Sequence, residues 1–395
     1  MKTQRLSVMQ KHTFDGLMFR TSETRQAAVL ESQSLTVRNN LVRYLAGIVL
    51  MLAAVLVHMS PAHANHSVRP FGIHCDSVGV AGIPYGPGVN CRVMLVDGLT
   101  RRYVVWVPLA GVPANSPAVF MLHGGSGTGE EFLIKSGWRE KATQEGFPAI
   151  FPTAAEHFVL DKQRFSTRWN NYGLPQEIDP NRRPAGYPAT SPWPADDVKF
   201  IRQIGDDVLQ RLATDPRRMY VAGFSSGGGM CARLGVELSH LIAAVACHTS
   251  GLHEVHETLV GHRNLSAYFS LGTRDDNALE VINSYLIALG RPTIAELPLN
   301  PSLLDRIPQI KTQILLNLDS FNLAATPVST LTGATWTEFR AQTPQAGNVD
   351  GNELYFTFLD DVTHHYPNGT ISPINPFGFN LPDRVWPFFL QHPRP

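Results

Sequence analysis

The sequence predicts an α/β protein with a mainly parallel central sheet covered by helices on both faces. Three observations lead there. Apolar runs bounded by turn residues alternate with stretches of helical period, and several of those runs are apolar throughout, as strands buried on both faces must be. The composition, 43% hydrophobic and 17% charged over 395 residues, is too apolar for disorder, and 32 Gly with 29 Pro punctuate it too often for a coiled coil.

Taken in order, NCRVMLVDG (90–98) and RRYVVWVPLAG (101–111) read as two strands of a hairpin turning at Asp97-Gly98, and PAVFMLHGG (117–125) as a third strand. WREKATQE (138–145) carries helix formers, and PAIFPTA (148–154) is a short strand. Residues 170–193 have no period and many prolines, which predicts a long surface loop. Beyond it Val198, Ile201, Ile204, Val208 and Leu212 recur at three and four, the mark of an amphipathic helix starting near Asp196. RMYVAGF (218–224) is a strand, GMCARLGVEL (229–238) a helix, and LIAAVACHTS (241–250) and SAYFSLGT (266–273) are strands. Helical patches at 284–289 and 306–315 suggest a lid-like insertion at about 277–327. Two late strands, ATWTEFRAQ (334–342) and ELYFTFLDD (353–361), and a helix at 382–391 complete the chain.

Residues 45–57 (LAGIVLMLAAVLV) are uncharged, follow Arg38 and Arg43, and precede Ala62-His63-Ala64. A basic flank, an apolar run too short to span a bilayer and a small-x-small site read as a signal segment cleaved after Ala64, leaving no stable membrane insertion. Some forty residues ahead of the run are more than a signal uses, so translation is expected to start downstream of Met1, at Met18 or later. The domain reading is therefore a leader at 1–64 and one domain at 65–395, in a secreted or periplasmic protein. The whole chain has 33 basic and 33 acidic residues; the leader holds 7 and 3 of them, so the remainder carries 26 against 30. That balance argues against nucleic acid as a partner. Export would favour pairing of the four cysteines, Cys75 with Cys91 first; Cys231 and Cys247 read equally well as a pair or as buried thiols.

Gly223-Phe224-Ser225-Ser226-Gly227 lies between a predicted strand and a predicted helix, the context of a nucleophile elbow. A strand turning abruptly into a helix leaves no room for side chains two positions either side of the bend, so the pattern selects Ser225 over Ser226 and Ser126. His123-Gly124-Gly125-Ser126-Gly127 follows another strand, and backbone N–H groups of Gly125 or Ser126, with that of Ser226, are candidate oxyanion donors. A serine hydroxyl needs a base, and the base an orienting acid. Asp275, with Asp276 as rival, ends one strand; His364 or His365 follows another. The order Ser, Asp, His is that of α/β-hydrolases.

With their surroundings, these residues resemble the polyhydroxybutyrate depolymerase and feruloyl esterase family of secreted α/β-hydrolases, from about Val89 to Phe389. The resemblance rests on Leu122-His123-Gly124-Gly125, Asp196-Asp197-Val198 with Phe200, Asp215-Pro216-Arg217-Arg218 with Tyr220, the elbow, Gly272-Thr273 with Asp275, His364 with Tyr366-Pro367, and Phe388-Phe389. It implies the α/β-hydrolase fold, ester hydrolysis through an acyl-enzyme, and Ser225, Asp275 and His364 as the catalytic residues. It also departs from the family pattern, which has Gly where Thr363 stands and Trp-Pro-Gly where Tyr366-Pro367-Asn368 stands. The substrate is expected to be a polymeric or small ester, with Trp169 and Tyr366 touching it and Tyr172, Tyr187 and Trp193 as further aromatic candidates. No cofactor and no metal are expected: His253-Glu254-Val255-His256 is not the H-E-x-x-H of zinc hydrolases. A peptidase or acyltransferase with the same triad and a non-catalytic binding protein on the same fold are the alternatives.

Overall fold

The computed structural model describes residues 79–252, 263–275, 317–324 and 328–395. The chain divides into two units, Met1–Val68 and Arg69–Pro395, and every described residue belongs to the second. The leader, Cys75, Asp276 and residues 253–256 lie outside the described residues, as does the expected lid apart from 317–324.

The first strands are β1 (Gly79–Val80), β2 (Gly88–Val96), β3 (Leu99–Val107) and β4 (Ser116–Leu122), followed by helices α1 (Gly129–Lys135) and α2 (Trp138–Glu145). Next come β5 (Ala149–Pro152), β6 (Glu156–Val159), β7 (Arg164–Thr167), the single turn α3 (Leu174–Glu177) and α4 (Asp197–Arg211). The nucleophile region is β8 (Thr214–Phe224) and α5 (Ser226–Glu237), and β9 (Ala244–His248), β10 (Ser266–Arg274), β11 (Val328–Thr332), β12 (Trp336–Ala341), β13 (Leu354–Thr363) and α6 (Leu381–Gln391) complete the described elements.

Eleven strands form one sheet in the order β1-β2-β3-β5-β4-β8-β9-β10-β13-β12-β11. Every neighbouring pair from β5 to β13 is parallel, while β2–β3, β3–β5, β13–β12 and β12–β11 are antiparallel. This is the α/β-hydrolase fold. The hairpin expected at Asp97-Gly98 is present: Val96 faces Leu99, and the two turn residues have φ of 50° and 83°, the positive values that match the twist of the strands. The β6–β7 hairpin, which packs outside the main sheet, has no clear signal in the sequence.

The absence of polar alternation in the central strands has a direct structural counterpart. Ala118, Phe120 and Leu122 of β4, with Met219 and Val221 of β8, enter the core on one face, against Phe200, Ile201, Ile204 and Val208 of α4 and the apolar residues of α5. Val119, Met121, Tyr220 and Ala222 enter a second core on the other face, against Trp138 of α2 and Val385, Trp386 and Phe389 of α6. Each strand residue thus buries its side chain on one side or the other, at roughly 1.5–3 kcal/mol for each large apolar group. Two well-packed faces hold the carboxyl ends of β4, β8, β10 and β13 along one edge, where open α/β sheets place their sites.

Candidate active site

Ser225 sits between β8 and α5 with φ of 53° and ψ of −120°, a conformation that L-residues rarely adopt. The flanking glycines permit it. A Cβ on Gly223 would lie 2.1 Å from the carbonyl oxygen of Gly227, and one on Gly227 would lie 2.5 Å from those of Leu122 and His123. The Ser225 N–H donates to His248 O (3.0 Å) and to Thr249 Oγ1 (3.2 Å), so backbone geometry and hydrogen bonds together anchor the turn. Although Ser225 occupies the N-cap of α5, its hydroxyl makes no capping bond.

That hydroxyl instead faces His364. Nε2 of His364 lies 3.1 Å from Ser225 Oγ, and Nδ1 lies 2.8 and 3.0 Å from the two carboxylate oxygens of Asp275. Asp275 is fully buried at the end of β10, and His364 follows the end of β13. The structure thus brings Ser225 together with Asp275 and His364, the trio that the resemblance implies. His365 takes no part in this chain. Its Nδ1 is buried with no hydrogen-bond partner among the described residues, and burial lowers its pKa.

The loop after β4 runs beneath the site. His123, fully buried, accepts the Ala154 N–H at Nε2 (3.0 Å), so Nδ1 carries the proton and donates to Gly124 O (2.7 Å). Burial pushes its pKa down to about 4, which keeps the ring neutral in this bracing role. The two donor candidates of this loop separate here. The Ser126 N–H is already given to Thr167 O at 2.9 Å, and the Ser126 hydroxyl is bonded to Ser166 (2.6 Å) and Lys162 (2.7 Å). The N–H groups of Gly125 and Ser226 have no partner among the described residues.

Trp169 requires a correction. It was expected to touch substrate, but its ring is fully buried in the core and its Nε1–H donates to His123 O (2.8 Å), while its backbone N–H donates to Ser226 Oγ (3.2 Å). An indole in the core with its one donor used braces the loop after β4. Asp197, buried and paired with Arg101, holds the next residue by accepting the Asn170 N–H (2.7 Å). Tyr172 donates to Glu237 (2.8 Å), and Tyr187 packs edge-on against Trp193 with ring centroids 5.0 Å apart, so these aromatics anchor the loop.

Tyr366 does reach the open space at the site. A cleft of about 540 Å³ is lined by Gly124, Gly125, Phe132, Phe224, His364 and Tyr366, with the Glu131–Lys135 ion pair on its wall. Phe224 is the centre of this wall. Its ring stacks against Phe132, lies 5.0 Å from the His364 ring centroid and meets the edge of Tyr366. The Tyr366 hydroxyl accepts the Trp138 Nε1–H (2.9 Å), which leaves the ring face for packing. A larger cavity of about 620 Å³, lined by Met94, Thr100, Gln203 and Asp207, contains neither nucleophile nor base.

Of two features beside Ser225, the sequence leaves the first open and does not mark the second. Cys231 of α5 and Cys247 of β9 form a disulfide, with Cα atoms 5.7 Å apart; closure of a loop of this size contributes about 3 kcal/mol on the chain-entropy model. His248, the next residue, is buried behind the nucleophile. The available signal was a lone imidazole at the end of the apolar run AVACH, which by itself points to a core histidine as readily as to a role at a site.

No family model matches this chain. In sequence it is similar to feruloyl esterase B of Piromyces equi, 46% identical over 52 residues that cover 13% of this chain and 10% of that protein. It is also similar to a protein named as esterase NocK in Nocardia uniformis subsp. tsuyamanensis, 27% identical over 159 residues, 40% of each chain. The chain thus spans less than half the length of these relatives. Among solved structures, it overlays acetyl xylan esterase from Aspergillus awamori at a TM-score of 0.43 and 13% identity, over 76% of this chain and 99% of that one. Poly(3-hydroxybutyrate) depolymerase LpqC from Bordetella parapertussis overlays at a TM-score of 0.42 and 16% identity, over 71% and 86%.

Proposed function

We propose that this chain is a serine esterase that cleaves carboxylic esters through an acyl-enzyme. The observation that carries the reading is the continuous hydrogen-bonded chain from Ser225 Oγ through His364 to the buried Asp275. Ser225 Oγ attacks the ester carbonyl carbon as His364 Nε2 takes its proton. Asp275 holds the imidazole by its Nδ1–H and stabilises the imidazolium that forms. The carbonyl oxygen, now negative, accepts the N–H groups of Gly125 and Ser226, with the N-terminus of α5 adding a favourable dipole. His364 returns the proton to the departing alcohol; water then attacks the acyl-enzyme by the same route and releases the acid.

The aromatic cleft beside His364 supports an apolar acyl or aryl group, and similarity to esterases supports ester over amide substrates. Export to the periplasm or medium is part of the reading, supported by the Ala62-His63-Ala64 site and the Cys231–Cys247 disulfide. Labelling with a fluorophosphonate probe, followed by peptide mapping, tests the mechanism. Modification at Ser225 is expected, together with a loss of several powers of ten in ester turnover for Ser225→Ala. Near-normal turnover by that variant would sink the proposal. A panel of polyester film, methyl ferulate, acetylated xylan and short nitrophenyl esters would then rank the substrates.

A further inference from the structure

His248 bonds to the backbone of Ser225 and to that of His365, the neighbour of His364, and does not line the cleft beside them. Its ring lies in the core, with Nε2 3.0 Å from the carbonyl oxygen of His365 and Nδ1 2.8 Å from Ser270 Oγ. A carbonyl only accepts, so Nε2 carries the proton. Burial lowers the pKa of this imidazole to about 3 and keeps it neutral; Nδ1 is therefore an acceptor and Ser270 the donor. Both ring nitrogens are satisfied, and the tautomer is set by the His365 carbonyl, to which the Ser270 hydroxyl adapts as donor.

The same residue's backbone serves the nucleophile. His248 O accepts the Ser225 N–H at 3.0 Å, and Thr249, held with φ of 63°, adds its Oγ1 to that N–H. Phe224 joins the two imidazoles: its ring stacks on His248 at 6.0 Å and lies tilted against His364 at 5.0 Å. Tyr366 closes the group edge-on to His248 at 5.8 Å. The His365 carbonyl belongs to the residue next to the base, so fixing it restricts the backbone from which the His364 ring is presented.

We propose that His248 is a positioning residue, which ties the loop carrying His364 to the strand end carrying the Ser225 contacts and so sets the distance between base and nucleophile. The proposal rests on the serine esterase reading above. It predicts a loss in kcat rather than KM when the bond to His365 is lost, because misplacement of reacting groups by about 1 Å costs on the order of 100-fold.

Two conservative variants separate this role from a merely structural one. In His248→Gln the side-chain amide reaches the position of Nε2 and can still donate to His365 O; in His248→Asn it reaches only the position of Nδ1 and Ser270. Both lose the imidazole and the stacking on Phe224. With p-nitrophenyl acetate as substrate and sites counted by fluorophosphonate titration, His248→Gln is expected to keep kcat within about threefold of wild type. His248→Asn is expected to lose roughly 10- to 100-fold, with KM changed less than about twofold in both. Equal kcat per titrated site in the two variants would overturn the positioning role. Should His248→Asn fail to fold, His248→Leu, which offers the His365 carbonyl no donor, takes its place: its kcat should fall roughly 10- to 100-fold below that of His248→Gln, whereas equal kcat in the two would overturn the role. Wild-type protein that takes no label at Ser225 would instead overturn the esterase reading itself.

Discussion

The turn that carries Ser225 and the loop that carries His364 are held in place by different means. At the turn the constraint is local. Gly223 and Gly227 let the backbone of one strand end, one helix start and the neighbouring β4 loop approach within the space a methyl group would fill. At the loop the constraint comes from afar. His364 is placed by a carboxylate 89 residues earlier, its neighbour's carbonyl is held by a histidine 117 residues away, and the Tyr366 hydroxyl is held by Trp138 across 228 residues. The strained turn at Ser225 is held by close backbone packing and by hydrogen bonds to its N–H, while the His364 ring is oriented by side chains from several elements.

The difference is open to direct attack. The largest effect is expected on the loop side, where the two adjacent histidines have unequal roles. His364→Ala should lower kcat by several powers of ten, whereas His365→Ala, which removes a ring outside the Ser225–His364–Asp275 chain, should lower it by less than about tenfold. Comparable losses in the two variants would show that the loop can present either imidazole. On the turn side the expected damage is to stability. Gly227→Ala drives a methyl group against two main-chain oxygens that cannot rotate away, and chemical denaturation should report a loss of about 3 kcal/mol, together with lowered kcat. A variant as stable as wild type would mean that the turn is less tightly packed than described.

The smallest expected effect concerns pH and touches both regions. His123 under the turn and His248 under the loop have pKa values pushed by burial to about 4 and about 3, against an ordinary value near 6.5. Between those limits the unfolded chain binds protons that the folded one does not, so stability is full above about pH 6.5 and declines as pH falls toward 4. Melting temperatures measured across that window should drop, and His248→Gln should make the decline shallower. A decline of unchanged slope would show that His248 is not the neutral ring its surroundings require.

The same local-against-distant contrast explains how much could be read before any coordinates. The α/β pattern, the Asp97-Gly98 hairpin, the start of the long helix near Asp196 and the tight turn at Ser225 all depend on residues within a few positions of one another, and each is present in the structure. Asp275 and His364 stand among the candidates the sequence offers at two strand ends, with Asp276 and His365 as alternatives, and the fold brings those strand ends to one edge. Trp169 was misread since an aromatic residue in a proline-rich loop carries no mark of which way it points, and only the carbonyl of His123 shows that it faces inward.

By itself, then, the sequence determined what short-range physics dictates: strand and helix periods, the glycine spacing that makes room for a strained serine, and the apolar runs that must be covered on both faces. Only the tertiary structure decided which histidine meets Ser225, that Cys231 reaches Cys247, that among the described residues the Ser126 N–H has a partner and the Gly125 N–H has none, and that His248 joins the turn to the loop. Those outcomes depend on contacts between segments far apart in the chain, and a buried hydrogen bond is satisfied by whichever group the packing brings within reach.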